Sequence, residues 1–482
     1  MTGVGPAGGE GHGSRGRSIL RMLCAATVLG AAVFAVPGPA NAVQPPTVNP
    51  GALGAAQALS GHPAPLEPTE QREVCATPML SGTAPADAPI AQRVLNLPGA
   101  WQFSEGAGQK VAVVDTGVNR HPRLPNLQAG GDYVSNSDGT TDCDGHGTIV
   151  AGIIAGQPSP NDGFSGVAPQ AQILSIRQLS LAFAAKNNRS GGQSPGAISD
   201  SGYGNVLTLS AAVVRATDMG ATVINISEVA CTGAGYDTAD GSLGAAVQYA
   251  YNHDVVVVAA AGNMQSDGPC KTQNSGSGWD GVQTIPSPAW FDKYVLSVGS
   301  VDPNGSPSEL TLRGPWIGAA AVGREIVSLD SKTGGTGLVN AVQGNDGIRP
   351  IEGTSFAAPY VSGLAALVRS RFPKLTAGQV IDRIERTAHH PGATRDDSVG
   401  YGMIDPVAAL TAVLPDRPVS AGADVPRAIP TPYSPPPADT RPRKYATIGS
   451  IACLSVLGIG IALAIPLRRR PGTAADTLDP DR

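Results

Sequence analysis

The chain has 482 residues, 41% hydrophobic and 15% charged, which is enough for one large domain or two. A net charge of -5 and a pI near 5.8 leave no basic excess, so no nucleic-acid partner is expected. Sixty-two glycines and 42 prolines beside few aromatics predict a loop-rich fold with unstructured flanks.

At the start, Arg15, Arg17 and Arg21 precede the apolar run Met22 to Val36, and Ala40-Asn41-Ala42 follows. A basic start, a short apolar run and a small-x-small site make a secretory signal peptide, residues 1–42, cleaved after Ala42. The run is too short to anchor the chain comfortably. Gly11 to Gly16 matches a dinucleotide fingerprint by letters, but no strand precedes it. Val43 to about Ala88 is rich in Pro, Ala and Gly and too poor in periodic apolar residues to be a domain. Residues 43–89 are therefore expected to be an extension. Ile90 to Trp101 predicts a short helix leading into a body that spans residues 90–414.

The body alternates between short apolar runs and helical patterns. Strands are expected at Lys110 to Val114, Ala171 to Leu179, Ala221 to Ser227 and Asp254 to Ala261, and then at Tyr294 to Val298, Trp316 to Ala321 and Glu325 to Ser328. Helices are expected at His146 to Ala155, Asn205 to Met219, Ser242 to Asn252, Ala357 to Arg369 and Thr376 to Thr387. The last opens on a Thr-x-x-Gln capping box. Strands apolar throughout, alternating with helices, predict an α/β fold: a parallel sheet flanked by helices on both faces. Lys186 to Gly204 reads as an exposed loop open to nicking.

Beyond the body, Pro415 to Lys444 (residues 415–444) holds nine prolines and reads as a linker. As polyproline II it would reach roughly 90 Å. Tyr445 to Leu467 (residues 445–467) carries no charge and is bracketed by basic residues, which predicts a transmembrane helix. With an export signal at the other end, the body lies outside the cytoplasm and the tail, residues 468–482, inside. Four cysteines fall in the exported part: Cys75, Cys143, Cys231 and Cys270. An even number there predicts two disulfides, with three pairings open. A zinc site lacks its usual Cys-x-x-Cys pair.

Four residues carry the chemistry. Asp115 ends an apolar strand and opens Asp115-Thr116-Gly117, where sites form outside the carboxyl ends of a parallel sheet. His146 stands between Gly145 and Gly147 at a helix start, where backbone and substrate approach closely. Asn263 follows a strand and offers an amide donor to a developing oxyanion. Ser355, in Gly353-Thr354-Ser355-Phe356-Ala357-Ala358-Pro359, opens a helix of small residues whose N-terminus favours an anion. Pro359 is expected in its first turn, where a missing N–H costs little. Singly, each has a bland reading: a turn Asp, a surface His, a turn Asn, a helix cap. Together they give the order Asp, His, Ser with an oxyanion Asn between the last two, which is the subtilisin order of the triad.

Val113 to Gly117, Asp144 to Thr148, Ala261 to Asn263 and Gly353 to Pro359 resemble the motifs of subtilases, and Gly400 to Asp405 resembles their closing motif. A narrower resemblance is to mycosins, the membrane-anchored subtilases of type VII (ESX) secretion systems. It rests on Asn225 to Cys231, the extension with Cys75, the Gly/Ser/Asn insertion after Leu179, the linker and the C-terminal helix. The resemblance implies a subtilisin-like fold and a serine endopeptidase with Asp115, His146 and Ser355 as triad, Asn263 in the oxyanion hole and Ser227 lining the cleft. It implies no cofactor, and no cluster of acidic residues has calcium-loop spacing, so no required metal is expected. It implies a body held outside the cell membrane by one span. Its partners would be proteins exported by the type VII system and membrane components of the secretion complex. A structural part with dispensable catalysis is the alternative. Cys231 and Cys270 each lie a few residues past strands that one helix joins, so those strands are expected to be parallel neighbours. Their loops then bring the Cys231–Cys270 pair together and leave Cys75 for Cys143.

Overall fold

The computed structural model describes residues 43–187, 198, 202–266, 268–344 and 347–415. The expected signal peptide, most of the loop Lys186 to Gly204, nearly all of the linker, the membrane helix Tyr445 to Leu467 and the tail lie outside the described residues. Among the described residues no helix is long and apolar enough to cross a membrane.

Seven strands form the central sheet: β1 Lys110–Asp115, β2 Leu127–Asp132, β3 Gln172–Arg177, β4 Val223–Ile226, β5 Val256–Ala260, β6 Val295–Val301 and β7 Ile317–Val322. Their order is β7-β6-β5-β4-β1-β3-β2, and every pairing is parallel. Five helices cover the sheet: α1 His146–Ala155, α2 Val206–Asp218, α3 Gly241–Asn252, α4 Thr354–Arg371 and α5 Ala377–Thr387. Alternation along one strand shows why the runs are apolar throughout. Val111 and Val113 join the core with α1 and α4, whereas Ala112 and Val114 join the core with α2 and α3. From β1 the chain builds outward to β3 and β2 on one side and to β4 through β7 on the other. The carboxyl ends of β1 and β4 therefore flank the switch point, where a parallel sheet opens its crevice.

Some elements differ from expectation. β2, Leu-Gln-Ala-Gly-Gly-Asp, has two glycines and little apolar patterning, and it forms because it sits at the sheet edge against β3. Glu325 to Ser328 adds no strand to the sheet: only Ser328–Leu329 is extended, paired antiparallel with Leu338–Val339. The expected helix Ile90 to Trp101 is two short ones, Ile90–Val94 and Leu97–Trp101, because Asn96 between them is left-handed at φ 47. α4 starts at Thr354, three residues before expectation, so Pro359 sits in its second turn rather than its first.

The extension packs on the body. Its helix Leu53–Ser60 lies on α2 and α3 and buries Ala56 in their core. Its strand Thr69–Gln71 pairs antiparallel with Phe183–Ala185, and its strand Thr77–Met79 pairs with Ala341–Gly344 of a hairpin that returns through Gly347–Pro350.

Candidate active site

Asp115 is the last residue of β1 and fully buried. Its Oδ1 accepts from the Thr116 N–H at 2.7 Å and meets His146 Nδ1 at 2.7 Å. A buried carboxylate on Nδ1 fixes the proton there and leaves Nε2 as the basic nitrogen. Approach is close because residue 147 has no side chain: a Cβ there would stand 2.1 Å from the Gly117 carbonyl oxygen and 3.1 Å from Asp115.

The start of α1 is held by a second acid. Gly145 is left-handed and gives the helix no side-chain cap. Asp142 supplies that function from outside, accepting from Gly145 N–H at 2.7 Å, Thr148 N–H at 2.9 Å and Thr148 Oγ1 at 2.6 Å. Thr116 Oγ1 also donates to Asp142, and the Gly147 N–H donates to Thr116 Oγ1. One network thus ties the end of β1 to the first turn of α1. Burial pushes the Asp142 carboxyl up to about 7 against the hydrogen bonds from Thr148.

Ser355 is the second residue of α4, so its N–H has no acceptor within the helix. Gly353 before it holds φ 139, which a side chain would not adopt, and a Cβ there would meet Asn263 Nδ2 at 3.0 Å and Ser355 Oγ at 3.3 Å. Asn263 follows β5, and its Oδ1 accepts from Thr354 N–H at 2.8 Å and from Thr354 Oγ1 at 3.0 Å. A backbone N–H needs an oxygen acceptor, so this orients the amide and leaves Nδ2 as the spare donor. Ser227 lies just past β4 and is 3% exposed. Its Oγ donates to the Ser355 carbonyl at 2.8 Å and accepts from Asn225 Nδ2 at 2.9 Å, while Ser362 of α4 donates to Asn225 Oδ1.

His146, Ser227, Glu228, Asn263 and Ser355 line one cleft of about 1390 Å³. Among the described residues His146 makes its hydrogen bond to Asp115 and none to Ser355 Oγ; a nucleophile–base contact is often looser without substrate. The His146 ring packs against Phe356, centroids 4.9 Å apart. Glu228, which the sequence marked only as part of the segment Asn225 to Cys231, has Oε1 at 3.5 Å from His146 Nδ1. Burial lowers the His146 pKa, but the charge and hydrogen bond of Asp115 and the charges of Glu228 and Asp142 outweigh it and push it up to about 10.

Both cysteine pairs sit at this cleft. Cys231 and Cys270, past the parallel neighbours β4 and β5, lie at disulfide distance with Cα atoms 5.4 Å apart. Cys75 and Cys143 do likewise at 4.6 Å. Glu73 to Thr77 of the extension and Val342, Gln343 and Arg349 of the hairpin form another part of the wall.

A general model of the subtilase family matches residues 106–402. Mycosin-1 of Mycolicibacterium smegmatis is 46% identical, over 91% of this chain and 97% of its own. The solved structure of the MycP3 protease from the type VII (ESX-3) secretion system matches with a TM-score of 0.69 at 49% identity, covering 77% of this chain and 100% of its own. A chain in the structure of an intact ESX-5 inner membrane complex matches with a TM-score of 0.72 at 42% identity, over 88% of this chain and 100% of its own. The chain belongs to the subtilase family of serine proteases and, within it, to the mycosins.

Proposed function

We propose that this mycosin is a serine endopeptidase with Asp115, His146 and Ser355 as its triad, held at the outer face of the cell membrane by the helix Tyr445 to Leu467. The observation that carries the reading is the buried Asp115 on His146 Nδ1 at 2.7 Å, in the cleft that Ser355 and Asn263 also line. Ser355 Oγ attacks the peptide carbonyl while His146 takes its proton. Asp115 holds the tautomer and stabilises the imidazolium. The oxyanion is held by Asn263 Nδ2 and the Ser355 N–H. His146 then passes the proton to the leaving amine, and water hydrolyses the acyl-enzyme by the same route. Ser227 sets the floor of the cleft beside the nucleophile.

The substrates are proteins exported by a type VII system, and the linker and anchor hold the body at high effective concentration beside them. A second role, stabilising the membrane complex, is favoured by the match to a chain of the ESX-5 inner membrane complex. Two variants separate the roles. Ser355→Ala is expected to abolish fluorophosphonate labelling and substrate processing while secretion continues. A chain ending at Pro442 is expected to weaken the membrane complex and reduce secretion. Hydrolysis by Ser355→Ala at the original rate refutes the triad; full secretion by the truncated chain refutes the structural role.

A further inference from the structure

Glu228 stands where the triad mechanism has no use for a charge. It follows Ser227 past the end of β4, across the switch point from Asp115. Its Oε1 is 3.5 Å from His146 Nδ1, the nitrogen that Asp115 Oδ1 already meets at 2.7 Å. A carboxylate oxygen of Asp115, a ring nitrogen of His146 and a carboxylate oxygen of Glu228 all fall within 4.8 Å of one another. The imidazole therefore faces two carboxylates, whereas fixing its tautomer takes one. We propose that Glu228 is a positioning residue that acts through His146, holding its imidazolium form and so setting the acid limb of the pH–rate profile.

The charges around the pair come from every element that packs there. Asp115 comes from β1, Asp142 and Asp144 from the segment before α1, and Glu228 from the segment after β4. Glu73 of the extension and Arg349 of the hairpin line the same cleft. Asp144 is held by Ser180 Oγ and by the Leu181 and Ala182 N–H groups. Burial pushes the Glu228 carboxyl up to about 8; His146 pulls it down, and Asp115 and Asp144 add to the rise. Acidic groups thus outnumber cations around the ring, and a proton placed there is held.

The sign follows from the mechanism. His146 accepts the Ser355 proton only as neutral imidazole, so the rate rises with pH through the His146 pKa. That pKa is raised by Glu228 among others, so removing the Glu228 charge lowers it and moves the acid limb to lower pH. With side chains only 22% and 24% exposed, one unit charge at 3.5 Å shifts it by at least about one pH unit, the value that full aqueous screening would leave. A weaker base also abstracts the serine proton less readily, so the alkaline plateau falls. The two profiles should cross.

The inference rests on the triad assignment, and the test keeps the two apart. kcat/KM of the full chain in detergent is measured on an uncharged peptide from about pH 6 to about pH 11.5, a window that brackets the raised His146 pKa, for the original protein, Glu228→Gln and Glu228→Asp. Expected for Glu228→Gln are an acid limb lower by at least about one unit and a plateau lower by a few-fold, with Glu228→Asp, which keeps the charge, between it and the original. An acid limb that stays in place or moves up in Glu228→Gln overturns the inference. Where the Gln variant does not fold, Glu228→Ala is scored against the same outcomes. Hydrolysis surviving in Ser355→Ala would instead overturn the triad.

Discussion

Ser227 and Pro359 are coupled through one carbonyl. In α4 the N–H of residue 359 would donate to the Ser355 carbonyl, four residues back, but proline has no N–H to give. Ser355 is only 7% exposed, so its carbonyl has little access to water. Ser227 Oγ donates to it at 2.8 Å in place of the helix. Ser227→Ala leaves that acceptor open and also strips Asn225 Nδ2 of its acceptor. At about 1–3 kcal/mol for each of the two buried groups, the expected loss is roughly 2–6 kcal/mol of stability. Pro359→Ala restores a helical donor to the Ser355 carbonyl and does nothing for Asn225. In the Pro359→Ala background, Ser227→Ala should therefore cost about 1–2 kcal/mol less than in the original chain. Urea unfolding of the four proteins with disulfides intact gives the coupling. kcat on a peptide substrate reports whether the nucleophile shifts with the carbonyl. Equal costs for Ser227→Ala in both backgrounds would refute the idea that the hydroxyl stands in for the missing N–H.

Two further outcomes follow from the same geometry. Asn263→Asp keeps an oxygen for the Thr354 N–H but loses the amide donor, so kcat should fall by at least about 10²-fold with little change in the urea midpoint. Asn263→Ala should lose both activity and stability; equal midpoints for the two variants would separate Asn263 from the α4 start. A chain beginning at Ile90 lacks the helix Leu53–Ser60 and the strand Thr77–Met79, and its thermal midpoint should fall with no large rise in peptidase rate. A large rise would make the extension an inhibitor.

The parts of the proposed site legible in the sequence are those where covalent identity is the chemistry. Asp115, His146, Asn263 and Ser355 stand at strand ends and helix starts, and the parallel sheet collects such places at one edge. The run Val111 to Val114 announced a strand buried on both faces because each face has its own helical layer. What the sequence hid depends on contacts distant along the chain. β2 reads as loop because an edge strand needs only a partner, here β3, and not a pattern of its own. Ser227 read as a cleft residue; its use of the Ser355 carbonyl came from a proline 132 positions later, whose helical register was set three residues from expectation. Glu228 carried no signal of its own within the segment Asn225 to Cys231, since nothing local tells a cleft carboxylate from a solvated one.

The extension shows why composition misleads about role. Its prolines and glycines argue against a folded domain, and it has none: it borrows the core of α2 and α3 for Ala56 and the hairpin Ala341–Pro350 for strand pairing. Cys75 sits beside Cys143, three residues before the proposed base His146, in a link that spans 68 positions of sequence. Bonded there, the extension is not lost when the chain is cut between it and the body, and tying so long a loop stabilises the folded state by restricting the unfolded one. An inhibitory segment needs the opposite, a contact that ends on cleavage. Glu73 to Thr77 stand in the wall of the cleft that Ser355 also lines, so removal of the extension should widen the range of peptides cleaved more than it raises the rate on any one of them.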